Sequence, residues 1–288
     1  MVEQRAECTG GRTPSGLSYV IDPDTNVLLD VAETAAERAG KRLAAIFKHG
    51  RISVRRKYDY PGSIVTNADL ESERLVLDTI RRSGIKSTVV SEEKGRVDCG
   101  GRRIVWNLDP LDGTFNFAKR IPHFAVSIGV VDGGRTVAGA IYDPILDEMF
   151  TAGRGHSAFL NGRRVTVSKS TALRNASIIF EWWEPEPSIP DPLELAKRIY
   201  RQTRSLRSPG SIALNLCAVA SGRFDGLITV YLRSPLYETG AGSIIVEEAG
   251  GRVTNSLGDS WESLSRSIVA AGPLLHRRLL QFVRSSTL

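Results

Sequence analysis

The segment that decides the fold is WNLDPLDGTFNF, residues 106–117. It overlaps an apolar, β-branched run at residues 104–108, and that run predicts a buried strand. The strand ends in two carboxylates, Asp109 and Asp112. Carboxylates at the end of a buried strand cost free energy unless a positive group compensates them. Hard divalent cations prefer oxygen ligands, so this pattern predicts a site for a divalent cation.

The spacing within this segment also predicts where a phosphate would bind. Asp109 and Asp112 are three residues apart across a proline turn, so both carboxylates and the Leu111 carbonyl can converge on one point. Gly113 and Thr114 follow with backbone N–H groups at a point where a helix could begin. Such N–H groups bind phosphate well. The sequence therefore predicts a metal site and a phosphate site within one short segment.

Two further polar segments carry matching chemistry. Ser91-Glu92-Glu93 follows a short predicted strand, and Thr66-Asn67-Ala68-Asp69 opens a predicted helix. Each has an ordinary explanation when taken alone, because Glu pairs are usually solvated and Thr66 or Asp69 suits a helix N-cap. Asp112-Gly113 alone is a common turn. Their joint occurrence, in this order and at the ends of strands, favours one shared site.

The remaining periodicity predicts a mixed fold. Apolar residues at helical spacing predict helices at residues 25–47, 68–82, 192–203, 212–220, 240–248 and 274–284. β-Branched runs predict strands at residues 88–90, 104–106, 124–131, 137–142, 148–152, 226–230 and 267–272. Asn161-Gly162 predicts a hairpin turn between residues 158–160 and 165–167. The mixture favours a layered α/β or α+β fold.

The length of 288 residues suits one large domain or two joined halves. We expect a flexible tail at residues 1–18, an N-terminal α+β half with the metal site at 19–184, and a C-terminal α/β half at 185–288. A proline-rich loop at residues 181–192 marks the division. No run of 18 apolar residues or secretory leader is visible, and three widely spaced cysteines form no disulfide pattern. We therefore expect a cytoplasmic protein with no membrane partner.

The chain is basic, with a net charge of +6 and a pI near 9.4. Such a balance is typical of some nucleic-acid-binding proteins. The longest basic run is three residues, Arg55-Arg56-Lys57, so an Arg-rich solvated surface is the favoured interpretation and no nucleic-acid partner is expected. A positive field would also attract an anionic substrate.

Residues 106–117 closely resemble the first signature of the inositol monophosphatase family. The same family has, in the same order, segments similar to residues 65–69, 91–93, 139–142 leading to 155–162, and 210–215. The resemblance covers roughly residues 25–272 and implies an αβαβα sandwich of the sugar phosphatase type. Residues 90–93 and 110–117 are most similar to the archaeal-type branch, whose members are often dual inositol monophosphatases and fructose-1,6-bisphosphatases.

The resemblance implies a role for each matching residue. One Mg²⁺ would be bound by Glu92, Asp109 and the Leu111 carbonyl, and a second by Asp109, Asp112 and Glu238. A third, loose Mg²⁺ would lie near Glu92 and Asp69, and Mn²⁺ could substitute. The implied catalytic residues are Asp69, Glu92 and Thr114, of which Thr114 and Asp69 would orient the attacking water. The N–H groups of Gly113 and Thr114 would hold the phosphate, and the substrate contacts would be Asp112, Ile212 and Arg233.

The chain departs from the family pattern at several positions. Glu238 and Ser63 stand where the family usually has Asp. Tyr231 stands where animal-type members have an acid that contacts inositol, which weakens an expectation of strict inositol specificity. Arg233 could pair with a second phosphate, although a surface role is an equal alternative. Lys57 could steady the loop at residues 55–66, and Trp182-Trp183 could cap the substrate or, as we favour, lie in a subunit interface.

The resulting hypothesis is a Mg²⁺-dependent phosphatase acting as a homodimer on inositol-1-phosphate, fructose 1,6-bisphosphate or both. A 3′-phosphoadenosine 5′-phosphate nucleotidase is a second enzymatic possibility, although such members usually carry longer insertions. A non-catalytic regulatory or RNA-associated binding protein is a third, which the basic pI permits. Intact Glu92, Asp109, Asp112 and Thr114 favour catalysis over this third alternative.

Overall fold

The computed structural model describes residues 24–57, 64–182, 191–230, 235–262 and 266–284. The predicted tail and the predicted division at residues 184/185 lie outside these ranges. The helices are α1 Thr25–His49, α2 Asn67–Arg82, α3 Thr114–Ala118, α4 Pro192–Gln202, α5 Ile212–Ala220, α6 Pro235–Glu248 and α7 Pro273–Arg284. The strands of the first half are β1 Val54–Arg56, β2 Ile64–Thr66, β3 Ser87–Ser91, β4 Gly95–Cys99, β5 Ile104–Asp112, β6 Ala125–Asp132, β7 Arg135–Asp143, β8 Glu148–Gly153, β9 Ala158–Leu160 and β10 Arg163–Val165. Those of the second half are β11 Ser177–Trp182, β12 Ser205–Arg207, β13 Gly226–Val230, β14 Arg252–Thr254 and β15 Ser267–Ala271.

The larger sheet has eight strands in the order β10-β9-β8-β7-β6-β5-β3-β4. Its strands pair antiparallel except β3 and β5, which run parallel. Helices α1 and α2 pack together on one face, where α1 buries an alanine- and leucine-rich stripe against the sheet. The parallel pairing matters for the site because it brings the carboxyl ends of β3 and β5 to the same edge.

The smaller sheet has five strands in the order β12-β11-β13-β15-β14. Helices α5 and α6 pack between the two sheets, and α4 and α7 cover the outer face of the smaller sheet. The layers thus follow the order helix, sheet, helix, sheet, helix. The predicted αβαβα sandwich is confirmed.

The turn after β5 depends on one glycine. Gly113 has φ 91° and ψ 34° and precedes α3, and a Cβ at this position would lie 2.9 Å from the carbonyl oxygen of His123. A side chain would therefore be both strained and crowded. The β5–β6 pairing also shifts register between Asp109 and Asp112, so the strand is irregular where its carboxylates lie.

Most predicted elements are present, but several boundaries were wrong, among them the second strand of the hairpin, which is Arg163–Val165 and not residues 165–167. The loop predicted at residues 181–192 begins too early, because Glu181 and Trp182 belong to β11, which pairs on both sides within the smaller sheet. The helix predicted at 240–248 begins at Pro235, which places Glu238 in its first turn. The hairpin at Asn161-Gly162 is confirmed, with positive φ at both residues. No helix in the described ranges is long and apolar enough to cross a bilayer.

The burial of His276 predicts a pH dependence of stability. This residue of α7 is 1% exposed, and its Nε2 lies 3.0 Å from the Thr254 hydroxyl. Burial, with a contribution from Arg252, lowers the pKa of His276 from 6.5 to about 4. The folded protein therefore keeps a neutral imidazole while the unfolded chain takes up a proton below about pH 6.5. This stabilisation is complete above that pH and is lost as the pH falls towards 4, by about 3 kcal/mol in total.

Urea unfolding at pH 7.0, 5.5 and 4.5 measures this effect against a His276→Gln variant, whose amide can still bond Thr254. We expect the free energy of unfolding of the unmodified protein to fall more steeply with acid than that of the variant. Carboxylate titration is common to both proteins and cancels in the difference. Parallel pH profiles for the two proteins would contradict the prediction.

Candidate active site

The carboxyl ends of β3 and β5 bring two of the predicted acidic segments together. Ser91 is opposite Leu108 in the parallel pair, and the Glu92 N–H donates to the Leu108 carbonyl at 3.2 Å. Glu92 therefore follows β3 directly beside Asp109 of β5. Helix α2 packs on β5, where the Ser72 hydroxyl donates to the Pro110 carbonyl at 2.6 Å. The sequence-predicted clustering of strand ends is present in the structure.

Asp69 has two separate sets of contacts, one for each oxygen. Its Oδ2 accepts from the N–H of Thr66 at 2.8 Å and from the Thr66 hydroxyl at 2.6 Å, which forms a capping box at the start of α2. Its Oδ1 lies 2.9 Å from Thr114 Oγ1. Burial raises the pKa of Asp69 to about 7, although the bonds from Thr66 oppose this. The helix-cap role and the contact with Thr114 thus coexist in one side chain.

Asp109 and Asp112 are both buried in β5. Asp109 Oδ1 accepts the Leu111 N–H at 3.0 Å, and Asp112 Oδ2 accepts the Ser211 hydroxyl and the Ala213 N–H, the latter at 2.8 Å. Burial and repulsion from Glu92, Asp112 and Glu238 raise the pKa of Asp109 well above its usual value. Burial raises the pKa of Asp112 to about 7. Mutual repulsion of this kind requires that the carboxylates share one region.

Glu238 approaches the same region from the first turn of α6. Burial raises its pKa well above the usual value, and repulsion from Glu92 and Asp112 adds to this. Its Oε2 is buried and has no hydrogen-bond partner among the described residues. A buried carboxylate oxygen without a partner is costly and calls for a cation or a proton.

Lys57 provides a positive charge at the edge of the cluster. Its ammonium donates to Glu92 Oε1 at 2.9 Å, to the Glu92 carbonyl at 3.2 Å and to Glu93 Oε1 at 2.8 Å. Burial alone would lower the pKa of Lys57, but the charges and hydrogen bonds of Glu92 and Glu93 raise it above its usual value. Lys57 therefore ties the segment after β1 to the end of β3.

The carboxylates are gathered but do not form a closed ligand shell. Within the ranges that the structure describes, no group of three or more His, Cys, Asp or Glu side chains is arranged to hold a metal ion. The donor chemistry nevertheless suits Mg²⁺, since carboxylate and carbonyl oxygens converge and Glu238 Oε2 has no partner.

Comparison with known proteins identifies the group to which this arrangement belongs. The model of the inositol monophosphatase family matches residues 24–288. The chain belongs to the inositol monophosphatase family. The Nus factor SuhB of Escherichia coli strain K12 is 35% identical over 258 residues, which cover 89% of this chain and 96% of that protein.

Solved structures of family members share the fold. The extragenic suppressor protein SuhB from Bartonella henselae is 31% identical with a TM-score of 0.83, over 89% of this chain and 98% of that one. An inositol monophosphatase from Anabaena is 31% identical with a TM-score of 0.79, over 91% and 96% of the two chains. The predicted membership is confirmed, while the archaeal-type branch stays a prediction.

The structure describes some of the remaining predicted site residues and not others. Ile212 is buried at the start of α5, next to the residues that bond Asp112. Arg233, Ser63, Tyr231 and Trp183 lie outside the described residues. Ser211 lies in the family segment at residues 210–215, but its contact with Asp112 was not predicted, and Glu181 belongs to β11 rather than to the predicted loop. Trp182 is 39% exposed and stacks on Phe180.

Proposed function

We propose that this protein is a Mg²⁺-dependent phosphatase that hydrolyses a phosphate monoester of a small polyol or sugar. One observation carries the proposal: Glu92, Asp109, Asp112 and Glu238 crowd around the end of β5, where burial and repulsion between carboxylates raise the pKa values of Asp109, Asp112 and Glu238. Four crowded carboxylates with one nearby lysine leave a negative charge that divalent cations would neutralise. Membership in the inositol monophosphatase family supports the same chemistry.

The described residues suggest how the ions would be held. Glu92, Asp109 and the Leu111 carbonyl would bind one Mg²⁺, and Asp112 and Glu238 would contribute to a second with Asp109. Bound Mg²⁺ would lower the pKa of a coordinated water and neutralise charge on the phosphate. A third ion near Asp69, and Mn²⁺ as a substitute, belong to the same proposal. The N–H groups of Gly113 and Thr114 would hold the phosphate oxygens.

Thr114 is placed to position the attacking water. Its Oγ1 lies 2.9 Å from both Asp69 Oδ1 and the Leu111 carbonyl oxygen. A hydroxyl has one proton, so Thr114 can donate to only one of these acceptors and keeps lone pairs for a water. Asp69 can then accept, through Thr114, the proton that the water must lose. We assign orientation and proton transfer to this pair.

The substrate class is the finer part of the proposal. The Anabaena neighbour's description as an inositol monophosphatase supports inositol-1-phosphate as one substrate. Fructose 1,6-bisphosphate is the second, with Ile212 beside the sugar, and 3′-phosphoadenosine 5′-phosphate is an alternative. Action in the cytoplasm as a homodimer stays a prediction.

The name of several relatives, Nus factor SuhB, favours a second candidate, a non-catalytic regulatory protein. Inorganic phosphate released from the three candidate substrates, with and without Mg²⁺ or Mn²⁺, separates the candidates. The phosphatase proposal expects metal-dependent release from at least one of them. Release no greater than the metal-free blank on all three would overturn it and leave the regulatory role.

The unpartnered oxygen of Glu238 predicts a measurable change in metal affinity. We expect Glu238→Gln to raise the Mg²⁺ concentration for half-maximal activity by about tenfold or more, because a neutral amide is a poorer ligand. The metal-free variant should also unfold at a higher temperature, because a buried negative charge has been removed. Glu194→Gln, an exposed change in α4, is the matched control. An unchanged Mg²⁺ titration for Glu238→Gln would remove this residue from the metal site.

A further inference from the structure

The orientation of Asp112 depends on the first turn of α5. Asp112 Oδ2 accepts two hydrogen bonds from that turn, one from the Ser211 hydroxyl and one from the Ala213 N–H at 2.8 Å. Ser211 is also the N-cap of α5, since its side chain accepts from the Leu214 N–H. A displacement of this turn would therefore rotate or release the Asp112 carboxylate.

A second buried carboxylate holds this turn from the other sheet. Glu181 lies near the end of β11 and is 5% exposed. Its Oε1 accepts the Gly210 N–H at 2.7 Å and the Asn215 side-chain amide at 2.9 Å. Its Oε2 accepts the Ser208 hydroxyl at 2.7 Å. The three donors come from both sides of Ser211, so one carboxylate spans the segment that contacts Asp112.

The environment of Glu181 indicates that its hydrogen bonds, rather than an ion pair, keep it buried. Among the described residues, no Lys, Arg or His nitrogen lies within ion-pair distance of its carboxylate. A buried anion without a cation depends on donors that satisfy its oxygens. Glu181 has three, and one of them is the backbone N–H at Gly210, where φ is 88°.

Asn116 of α3 holds the same turn from the opposite side. Its amide nitrogen donates to the Pro209 carbonyl at 2.8 Å and to the His123 carbonyl at 2.9 Å. Asn116 follows Thr114 by two residues, so the turn before α5 is fixed directly to the segment that carries Thr114. The turn is thus clamped between the strand end that carries Glu181 and the helix that follows the predicted phosphate site.

We propose that Glu181 is a positioning residue for the metal site. It fixes residues 208–213 so that Ser211 and Ala213 hold Asp112 in the orientation in which it binds metal. Glu181 touches neither the metal nor the substrate in this scheme. The kinetic consequence rests on the proposed phosphatase function, whereas the ordering of the turn does not.

Three substitutions separate geometry from charge. Glu181→Gln is isosteric, and its carbonyl oxygen can still accept from Gly210 and Asn215 while its amide donates to the Ser208 hydroxyl. Glu181→Asp keeps the charge but is one methylene too short to reach all three donors. Glu181→Ala removes every bond. We expect Glu181→Ala and Glu181→Asp to raise the half-saturating Mg²⁺ concentration by about tenfold or more. The half-saturating Mg²⁺ concentration of Glu181→Gln should stay within about threefold of that of the unmodified protein.

A double substitution tests whether Glu181 acts through Ser211. If Glu181 acts by positioning Ser211, Ser211→Ala alone already removes much of the contribution of Glu181 to Mg²⁺ binding. The half-saturating Mg²⁺ concentration of the double variant Glu181→Asp/Ser211→Ala should then be close to that of the more impaired single variant. Fold-changes that multiply would show independent action and would overturn the proposal. The Asp variant retains a charged carboxylate, so this cycle does not depend on the Ala variant folding.

Amide hydrogen exchange keeps this inference distinguishable from the proposed function. We expect Glu181→Asp to speed exchange at residues 210–215 by about tenfold or more, with exchange in α1 unchanged and Glu181→Gln near the unmodified rate. Unchanged exchange would overturn the positioning role even in an active enzyme. If Glu181→Asp speeds exchange at residues 210–215 but the unmodified protein releases no phosphate, the proposed function is excluded. The role of Glu181 in ordering this turn would then still hold.

Discussion

Asp109→Asn is expected to lower Mg²⁺-dependent phosphate release by about 1,000-fold or more. Asp109 is the carboxylate that would contact both ions, and the loss of several kcal/mol of charge stabilisation corresponds to at least this factor. The substitution preserves size, and the asparagine oxygen can still accept the Leu111 N–H that Asp109 accepts at 3.0 Å. The fold should therefore survive while the site is lost. Phosphate release and kcat/KM across a Mg²⁺ titration measure the effect.

The same variant should gain stability when no metal is present. Burial and the nearby Glu92, Asp112 and Glu238 raise the pKa of Asp109, so its charged form opposes folding at neutral pH. The neutral amide removes that penalty, and the metal-free variant should unfold at a higher temperature than the unmodified protein. Mg²⁺ should raise the unfolding temperature of the unmodified protein and leave that of the variant unchanged.

The matched control for Asp109→Asn is Asp78→Asn, which removes a surface carboxylate paired with Arg38 and Arg82. It should retain activity within about twofold, since surface pairs contribute little. A fully active Asp109→Asn enzyme would exclude a metal site at the end of β5. A loss of activity accompanied by unfolding would indicate a structural role instead, because the loss of a metal ligand alone should leave a stable and inactive protein.

The local features of the site could be predicted from the sequence because they lie within short segments. The apolar run before Asp109, the proline turn and Gly113 fix β5 and its end within a dozen residues. The capping box at Thr66 and Asp69 is equally local. The joint occurrence of these segments at the ends of strands predicted one site, and the parallel pairing of β3 and β5 brings those ends to a common edge.

The long-range contacts around the site could not be predicted in this way. Ser211 reaches Asp112 across 99 residues, and Lys57 reaches Glu92 across 35. No local pattern marks such pairs, because their partners are chosen by the packing of whole layers. Glu181 was placed in a loop because prolines follow it closely in sequence, whereas pairing with β13 extends the strand through it. A buried Glu at the end of an apolar run, residues 178–180, was the available signal.

Lys57 neutralises part of the negative charge of the carboxylate cluster. Its ammonium bonds both Glu92 and Glu93, so Glu92 Oε1 already has a cationic partner. Binding of Mg²⁺ at Glu92 would compete with this contact or share it. The remaining carboxylates, Asp109, Asp112 and Glu238, have no such partner among the described residues and keep raised pKa values. The net charge of the cluster therefore favours cation uptake.

Asp69→Asn is expected to lower kcat by about 100- to 1,000-fold with little loss of stability. The reason is that Oδ2 of Asp69 caps α2, whereas Oδ1 contacts Thr114 and would accept the proton of the attacking water. The asparagine oxygen can replace Oδ2 and keep the capping bonds from Thr66, which places the amide nitrogen opposite Thr114 Oγ1. An amide there donates to the hydroxyl and cannot accept the proton passed from the attacking water.

Thr66→Val is the matched control, since it removes the N-cap and should cost about 1 kcal/mol of stability with a much smaller effect on kcat. Steady-state kinetics and thermal unfolding of both variants distinguish a catalytic role of Asp69 from a role in helix capping alone. If Asp69→Asn loses stability and retains kcat, Asp69 serves only as a helix cap.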